Sequence, residues 1–147
     1  MGNKFTGDRH LFYMLDALWS GTNGDGLPVK FLMPPFNNHW CSSLLLSMDP
    51  VAIESVAFDF LRTEFSKPEH TIPHIIEPGV DDYLHQAADS GNWPAGIIYV
   101  PNGDGIPMPK SIGVHEHWNN PVDKQYSRNL GTGEGIELVK IFMNGKG

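Results

Sequence analysis

The stretch 113–121, GVHEHWNNP, carries two histidines separated by a single residue. In an extended segment such positions face the same way, so the imidazoles of His115 and His117 can reach one ion while Glu116 points to the opposite side. Metal coordination is the chemistry that this spacing suits. A third ligand must come from elsewhere; His39, His85 and Asp123 are available, and spacing does not choose among them. No His-Glu-x-x-His pattern occurs to set two ligands and a general base on one helix. The same pair also fits a plainer role as hydrogen-bonded structural side chains.

Two carboxylates form a second candidate site. Asp16 and Asp49 each close an apolar run, LFYMLD at 11–16 and SSLLLSMD at 42–49. In open α/β sheets ligands gather beyond the carboxyl ends of strands. If the two runs are parallel neighbours, their carboxylates can share a divalent metal ion or a proton. Asp49 has a second explanation, because it stands just before Pro50 where a helix N-cap belongs. A third candidate is the mirrored pair NNHW at 37–40 and HWNN at 117–120. Trp40 and Trp118 offer faces for stacking, and Asn119 and Asn120 offer amides for the rim of a small polar ligand such as a sugar. The alternative is that these tryptophans cover a core edge while the asparagines make turns. Cys41 reads as a small buried hydrophobe, and no nucleophile with an adjacent base is evident.

The elements that must position these groups follow from periodicity. Apolar or β-branched runs at 11–19, 42–50, 95–103 and 135–143 read as strands. DPVAIESVAFDFLRTEF at 49–65 reads as a helix, capped by Asp49, with Pro50 at its first position and Val51, Ile53, Val56, Ala57, Phe60 and Leu61 on its apolar face. A second helix is expected over 78–92, with Asp81 and Asp82 at its positive end and Gly91 to stop it. Interleaved strands and helices make the class α/β: a small mixed sheet of four to five strands with two or three flanking helices and long loops at 20–41, 66–78 and 103–131. The phrase NGDG occurs twice, in TNGDGLPVK at 22–30 and PNGDGIPMPK at 101–110. Neither copy has the alternating oxygen ligands of a calcium loop, so both read as tight turns. GTGEG at 131–135 leads into a strand, so no nucleotide-binding motif is formed.

Composition narrows the classes. A chain of 147 residues, 40% apolar and 11% aromatic, fits one globular domain. Its net charge of −7 and only ten scattered Lys and Arg residues exclude a nucleic-acid partner bound through a basic face. A single cysteine excludes an intrachain disulfide, a four-cysteine zinc site and a self-contained iron–sulfur cluster. No apolar run approaches the roughly 20 residues of a membrane helix, and the start MGNKFTGDRH lacks a signal-peptide core. A soluble protein without a membrane partner is expected, its compartment left open.

The segments LFYMLDALWSGTNGDG at 11–26 and LLLSMDPVAIESVAFDFL at 44–61 resemble the second half of the domain of unknown function family 362. Members of that family carry a strand ending in Asp-Gly, a Gly-rich loop, and a strand followed by Asp-Pro-Val-Ala-hydrophobe-Asp. GVDDYLHQAA and GVHEHWNNPVDKQYSRNLG resemble a bacterial branch of it. The resemblance marks Asp16, Asp49, Pro50, Val51 and Ala52; Ala17 stands where Gly is usual and Glu54 where Asp is usual. It implies that 1–147 is a single domain matching the C-terminal part of a larger one. Some relatives carry iron–sulfur modules, which this chain cannot supply. A sheet cut in half leaves an unpaired edge and an uncovered face, which predicts a homo-oligomer, a dimer in the simplest case. Two functions fit these expectations. One is a small-molecule or metal-binding α/β domain, enzymatic or not, with its site at the strand ends around Asp16, Asp49, His115 and His117. The other is a carbohydrate-type binding module built on Trp40, Trp118, Asn119 and Asn120, or a fragment that acts only through oligomerisation.

Overall fold

Residues 10–21, 27–69 and 73–143 are described by the computed structural model. Along the chain run β1 (Tyr13–Ala17), β2 (Ser20–Gly21), β3 (Pro28–Val29), β4 (Ser43–Ser47), α1 (Pro50–Phe65), the 3-10 turn η1 (Pro73–Ile76), α2 (Asp82–Ala88), a second such turn η2 (Ser90–Asn92) and α3 (Ser127–Leu130).

Helix α1 organises the molecule. The Asp49 carboxylate accepts the backbone N–H of Val51 at 2.8 Å and of Ala52 at 2.9 Å, and Pro50 occupies the first turn, where its missing N–H costs nothing. Val51, Ile53, Val56, Phe58 and Phe65 are buried along it, and three small apolar clusters form against its sides. One cluster gathers Phe31, Met33, Cys41 and Phe65; Glu64 anchors that loop by accepting the N–H of Leu32 at 2.7 Å and of Met33 at 2.9 Å. Another holds Tyr126 and Ile136 against Val56. Helix α2 is shorter than the expected 78–92. Asp89 turns extended, and its carboxylate accepts the N–H of Gly91 at 2.8 Å, so the side chain opens a separate turn instead of continuing the helix.

The class is mixed α/β, but the single sheet of four to five strands is corrected to two antiparallel sheets of two strands each among the described residues. β1 pairs with β4 in the register Tyr13↔Ser47 through Ala17↔Ser43, and β2 pairs with β3 through Ser20↔Val29 and Gly21↔Pro28. The runs at 95–103 and 135–143 contain no strand. In the second run side chains satisfy the backbone. Ile136 N–H goes to Glu116 Oε1 at 2.9 Å, Leu138 N–H to Asn129 Oδ1 at 2.9 Å, and Gly135 N–H to Ser127 Oγ at 3.1 Å. Those donors have no need of a neighbouring strand.

The second NGDG phrase is a turn, with Gly103 and Gly105 at φ 68 and 77 and the Asp104 carboxylate accepting Ile106 N–H at 2.9 Å. The first copy, at 23–26, lies outside the described residues; the hairpin β2–β3 flanks it. Side chains on the outer face of β1–β4, among them Met14, Leu44 and Leu46, are exposed. Among the described residues no helix is long and apolar enough to cross a membrane.

Candidate metal centre

One face of α1 supplies the floor of the site. Ser55, Asp59 and Arg62 recur at helical spacing, and Ser55 and Asp59 are buried. The segment 111–118 crosses this face and is stitched to it at two points. Val114 N–H donates to Asp49 Oδ2 at 2.9 Å, and Trp118 N–H donates to Asp59 Oδ2 at 3.1 Å. Close approach at the first stitch requires glycine at 113, where an added Cβ would lie 2.1 Å from Asp49 Oδ1. Between the stitches the side chains alternate. Glu116 turns away and accepts the N–H of Ser127 at 3.0 Å and of Ile136 at 2.9 Å, while His115 and His117 turn together onto α1.

Helix α2 closes the site from the third side. Asp81 immediately precedes it and His85 lies one turn on, which brings both onto one face. Asp81, His85, His115 and His117 each offer a ligand atom, and all four atoms lie within 4.8 Å of one another. This cluster could hold a metal ion. The imidazoles crowd edge to face, with ring centroids 4.4 Å apart for His85 and His115 and 4.8 Å for His115 and His117.

The outer hydrogen bonds decide which nitrogens face the centre. The Ser55 hydroxyl lies 2.7 Å from the carbonyl of Val51 and 2.8 Å from His115 Nδ1. A hydroxyl has one proton, which goes to the carbonyl, so Ser55 accepts from His115 and the proton is assigned to Nδ1. The lone pair of His115 is therefore on Nε2, which is buried and has no hydrogen-bond partner among the described residues. Burial, reinforced by the neighbouring His85 and His117, lowers the His115 pKa to about 4 and keeps the ring neutral.

His117 lies between two carboxylates, with Nδ1 2.7 Å from Asp59 Oδ1 and Nε2 3.1 Å from Asp81 Oδ2. Asp59 is fixed by the Tyr126 hydroxyl, which donates to its Oδ2 at 2.9 Å, and by Trp118 N–H. Burial pushes the Asp59 carboxyl up, against the opposing pull of His117 and Tyr126, and the same burial with the nearby Asp59 charge pushes the Tyr126 hydroxyl up. Asp81 is pulled down: burial acts upward, but its backbone hydrogen bond, His117 and Arg62 outweigh it, the Arg62 guanidinium lying at 3.3 Å.

The other sequence candidates lie elsewhere. Because β1 and β4 are antiparallel, the expectation that Asp16 and Asp49 meet at one strand end is corrected: Asp16 pairs in register with Leu44, whereas Asp49 lies beyond the far end of β4, past the partner of Tyr13. Asp16 is exposed and accepts the N–H of Leu18, and Asp49 caps α1 and takes the Val114 stitch. Trp118 packs edge-on against Phe60 with centroids 5.0 Å apart, and the Lys124 ammonium lies 4.8 Å from its ring centre. Trp40 lines a separate apolar cleft with Trp19, His39 and Phe36. Asn119 donates to the carbonyl of His117, and Asn120 holds the turn at 120–123 by accepting from Val122 and Asp123. Burial raises the Cys41 thiol to about 11, which leaves it a poor nucleophile near neutral pH.

Of the cluster, the sequence reading singles out His115 and His117 and names His85 among three choices; it takes Asp81 only for its place at a helix start. The spacing of Asp81 and His85 is a legible signal for a shared face. The contributions of Ser55 and Asp59 have none, since both sit inside a helix whose burial alone explains them. Comparison with protein-family models, curated proteins and solved structures finds no match for the chain.

Proposed function

We propose that this α/β domain binds one divalent first-row transition-metal ion, zinc being the best fit, through His85, His115, His117 and Asp81. Three imidazoles and one carboxylate form a borderline donor set that suits zinc, cobalt or nickel and disfavours calcium and magnesium, which prefer oxygen. The observation that carries this reading is His115 Nε2, a buried lone pair with no hydrogen-bond partner among the described residues, lying in a cluster of three further donors. A buried acceptor left unpaired costs about 1–3 kcal/mol, and an ion at this position removes that cost.

His117 supports the same reading. With Nδ1–H donating to Asp59, its Nε2 and the Asp81 oxygen are two acceptors 3.1 Å apart, and only a proton or a cation between them makes that arrangement favourable. A carboxylate behind a ligating histidine is the usual outer partner in metal sites, and here both buried-side imidazoles have one outer acceptor, Asp59 for His117 and Ser55 for His115. The residues that the family resemblance marks one by one, Asp16, Asp49, Pro50, Val51 and Ala52, do not belong to this cluster, whose members lie in the two segments that resemble the bacterial branch.

Metal content by mass spectrometry on untagged protein, after equilibration with zinc and removal of the excess, tests the reading. One equivalent per chain is expected in the wild type and its loss in His115→Ala and His117→Ala. A wild-type protein that stays metal-free would sink it.

A further inference from the structure

Three of the four cluster side chains are held in place by their surroundings. Asp81 is gripped by Arg62, His115 by Ser55 and His117 by Asp59. His85 is different. Its side chain is exposed, makes no hydrogen bond among the described residues, and meets the cluster only through ring contacts, closest to His115 at an interplanar angle of 88°. Its backbone is secured, since the His85 carbonyl accepts from Asp89 N–H at 3.0 Å and from Asn92 Nδ2 at 3.1 Å. The helix is fixed, while no hydrogen bond among the described residues holds the imidazole.

We propose that His85 is an exchangeable ligand, and that the coordination position it vacates takes a small anion from solution. This rests on the metal reading above. A ligand that no outer partner orients gives up the least when it leaves, whereas a ligand fixed on its far nitrogen is already in the bound geometry. Charge decides what replaces it. A divalent ion among neutral imidazoles faces one carboxylate in the cluster, Asp81, and that carboxylate already shares its charge with Arg62. Asp59 stands one residue further out, behind His117. The centre keeps an excess of positive charge on its solvent side, and an anionic donor relieves it better than a neutral one. The position is thus open in the way catalytic metal sites are open and structural ones are not.

Cobalt(II) serves as the probe, because its visible absorption reports coordination, and azide serves as the anion. Bound cobalt per chain is measured for the wild type, His85→Ala and His115→Ala, and each loaded protein is titrated with azide. Alanine is a better helix former than histidine at position 85, so the variant keeps α2. The expected result is near-stoichiometric cobalt in His85→Ala, bound more weakly than by the wild type but far more tightly than by His115→Ala. None is expected in His115→Ala. Azide should shift the His85→Ala spectrum at lower concentration than that of the wild type. Loss of cobalt from His85→Ala as complete as from His115→Ala would overturn the proposal and leave the metal reading standing, as would a spectrum that azide moves no more readily than in the wild type. Failure of the wild type to take cobalt would remove the metal reading itself, and the exchangeable position with it.

Discussion

The hydroxyl of Ser55 and Nδ1 of His115 lie 2.8 Å apart, and because that hydroxyl already donates to the Val51 carbonyl at 2.7 Å, the imidazole is the donor. One serine thereby fixes which nitrogen of His115 faces the cluster. Ser55→Ala frees the ring to flip or to change tautomer. Zinc affinity is expected to fall by about 10–100-fold, the usual effect of losing an outer partner, while the fold loses about 1 kcal/mol from the missing hydrogen bond. Competition with a chromophoric chelator measures the first and urea unfolding of the metal-free protein the second. Unchanged affinity would show that Ser55 does not orient the ligand.

Tyr126 supports the neighbouring ligand from further away. Its hydroxyl donates to Asp59 at 2.9 Å from a fully buried position. Tyr126→Phe leaves the ring packed against Val56 and Ile136 and removes that bond alone. A hydrogen bond to a charged acceptor contributes about 1.5–3 kcal/mol, so the urea midpoint should drop accordingly. Metal stoichiometry should stay at one, with weaker affinity, since Asp59 retains the Trp118 N–H. A variant as stable as the wild type would contradict this account of Asp59.

Acid should weaken the metal-free fold through His115. Its pKa is about 4 when folded, against an ordinary 6.5, so between those values the unfolded chain takes up a proton that the folded chain refuses. The stability it contributes is complete above about 6.5 and is lost as pH falls toward about 4. Asp59, raised by burial, acts in the opposite sense. The comparison that isolates His115 is therefore the urea midpoint against pH for wild type and His115→Gln. A flatter dependence over that window is expected in the variant; parallel curves would rule His115 out as the source.

Asp49 and Asp16 should separate cleanly. Asp49→Ala removes the acceptor for Val51, Ala52 and Val114 N–H, and loss of an N-cap costs about 0.5–2 kcal/mol before the third bond is counted. Its thermal midpoint should fall while metal stoichiometry stays at one. Asp16→Ala removes one exposed local bond to Leu18 and should change neither quantity measurably. Metal loss in Asp16→Ala would move the site back to the strand end.

What could be read from the sequence was local. The start of α1 is written in Asp49-Pro50 and the apolar spacing that follows, and the common direction of His115 and His117 needs only an extended backbone. Asp81 and His85 share a helical face by spacing, but what brings that face to His115 is the packing of α2 on α1, which no short-range pattern encodes. The runs at 95–103 and 135–143 mislead for a related reason. Their β-rich composition states a preference, and distant side chains from Glu116, Ser127 and Asn129 settle the backbone bonds of the second run differently.

The stretch 93–114 has neither helix nor strand, and the bonds that tie it back include Ser90 N–H to the Lys110 carbonyl, Ile112 N–H to the Ala87 carbonyl, the Trp93 indole N–H to the Gln86 carbonyl and Val114 N–H to Asp49. Asp81 lies before it, at the start of α2, and His115 directly follows it. An ion shared by Asp81 and His115 closes the chain between them into a ring, and the entropy of the open chain falls as it does when a cross-link is made. With one cysteine in the sequence, the chain has no covalent means to do the same. The metal would be a removable staple, and a chelator would lengthen the effective free chain without cutting it.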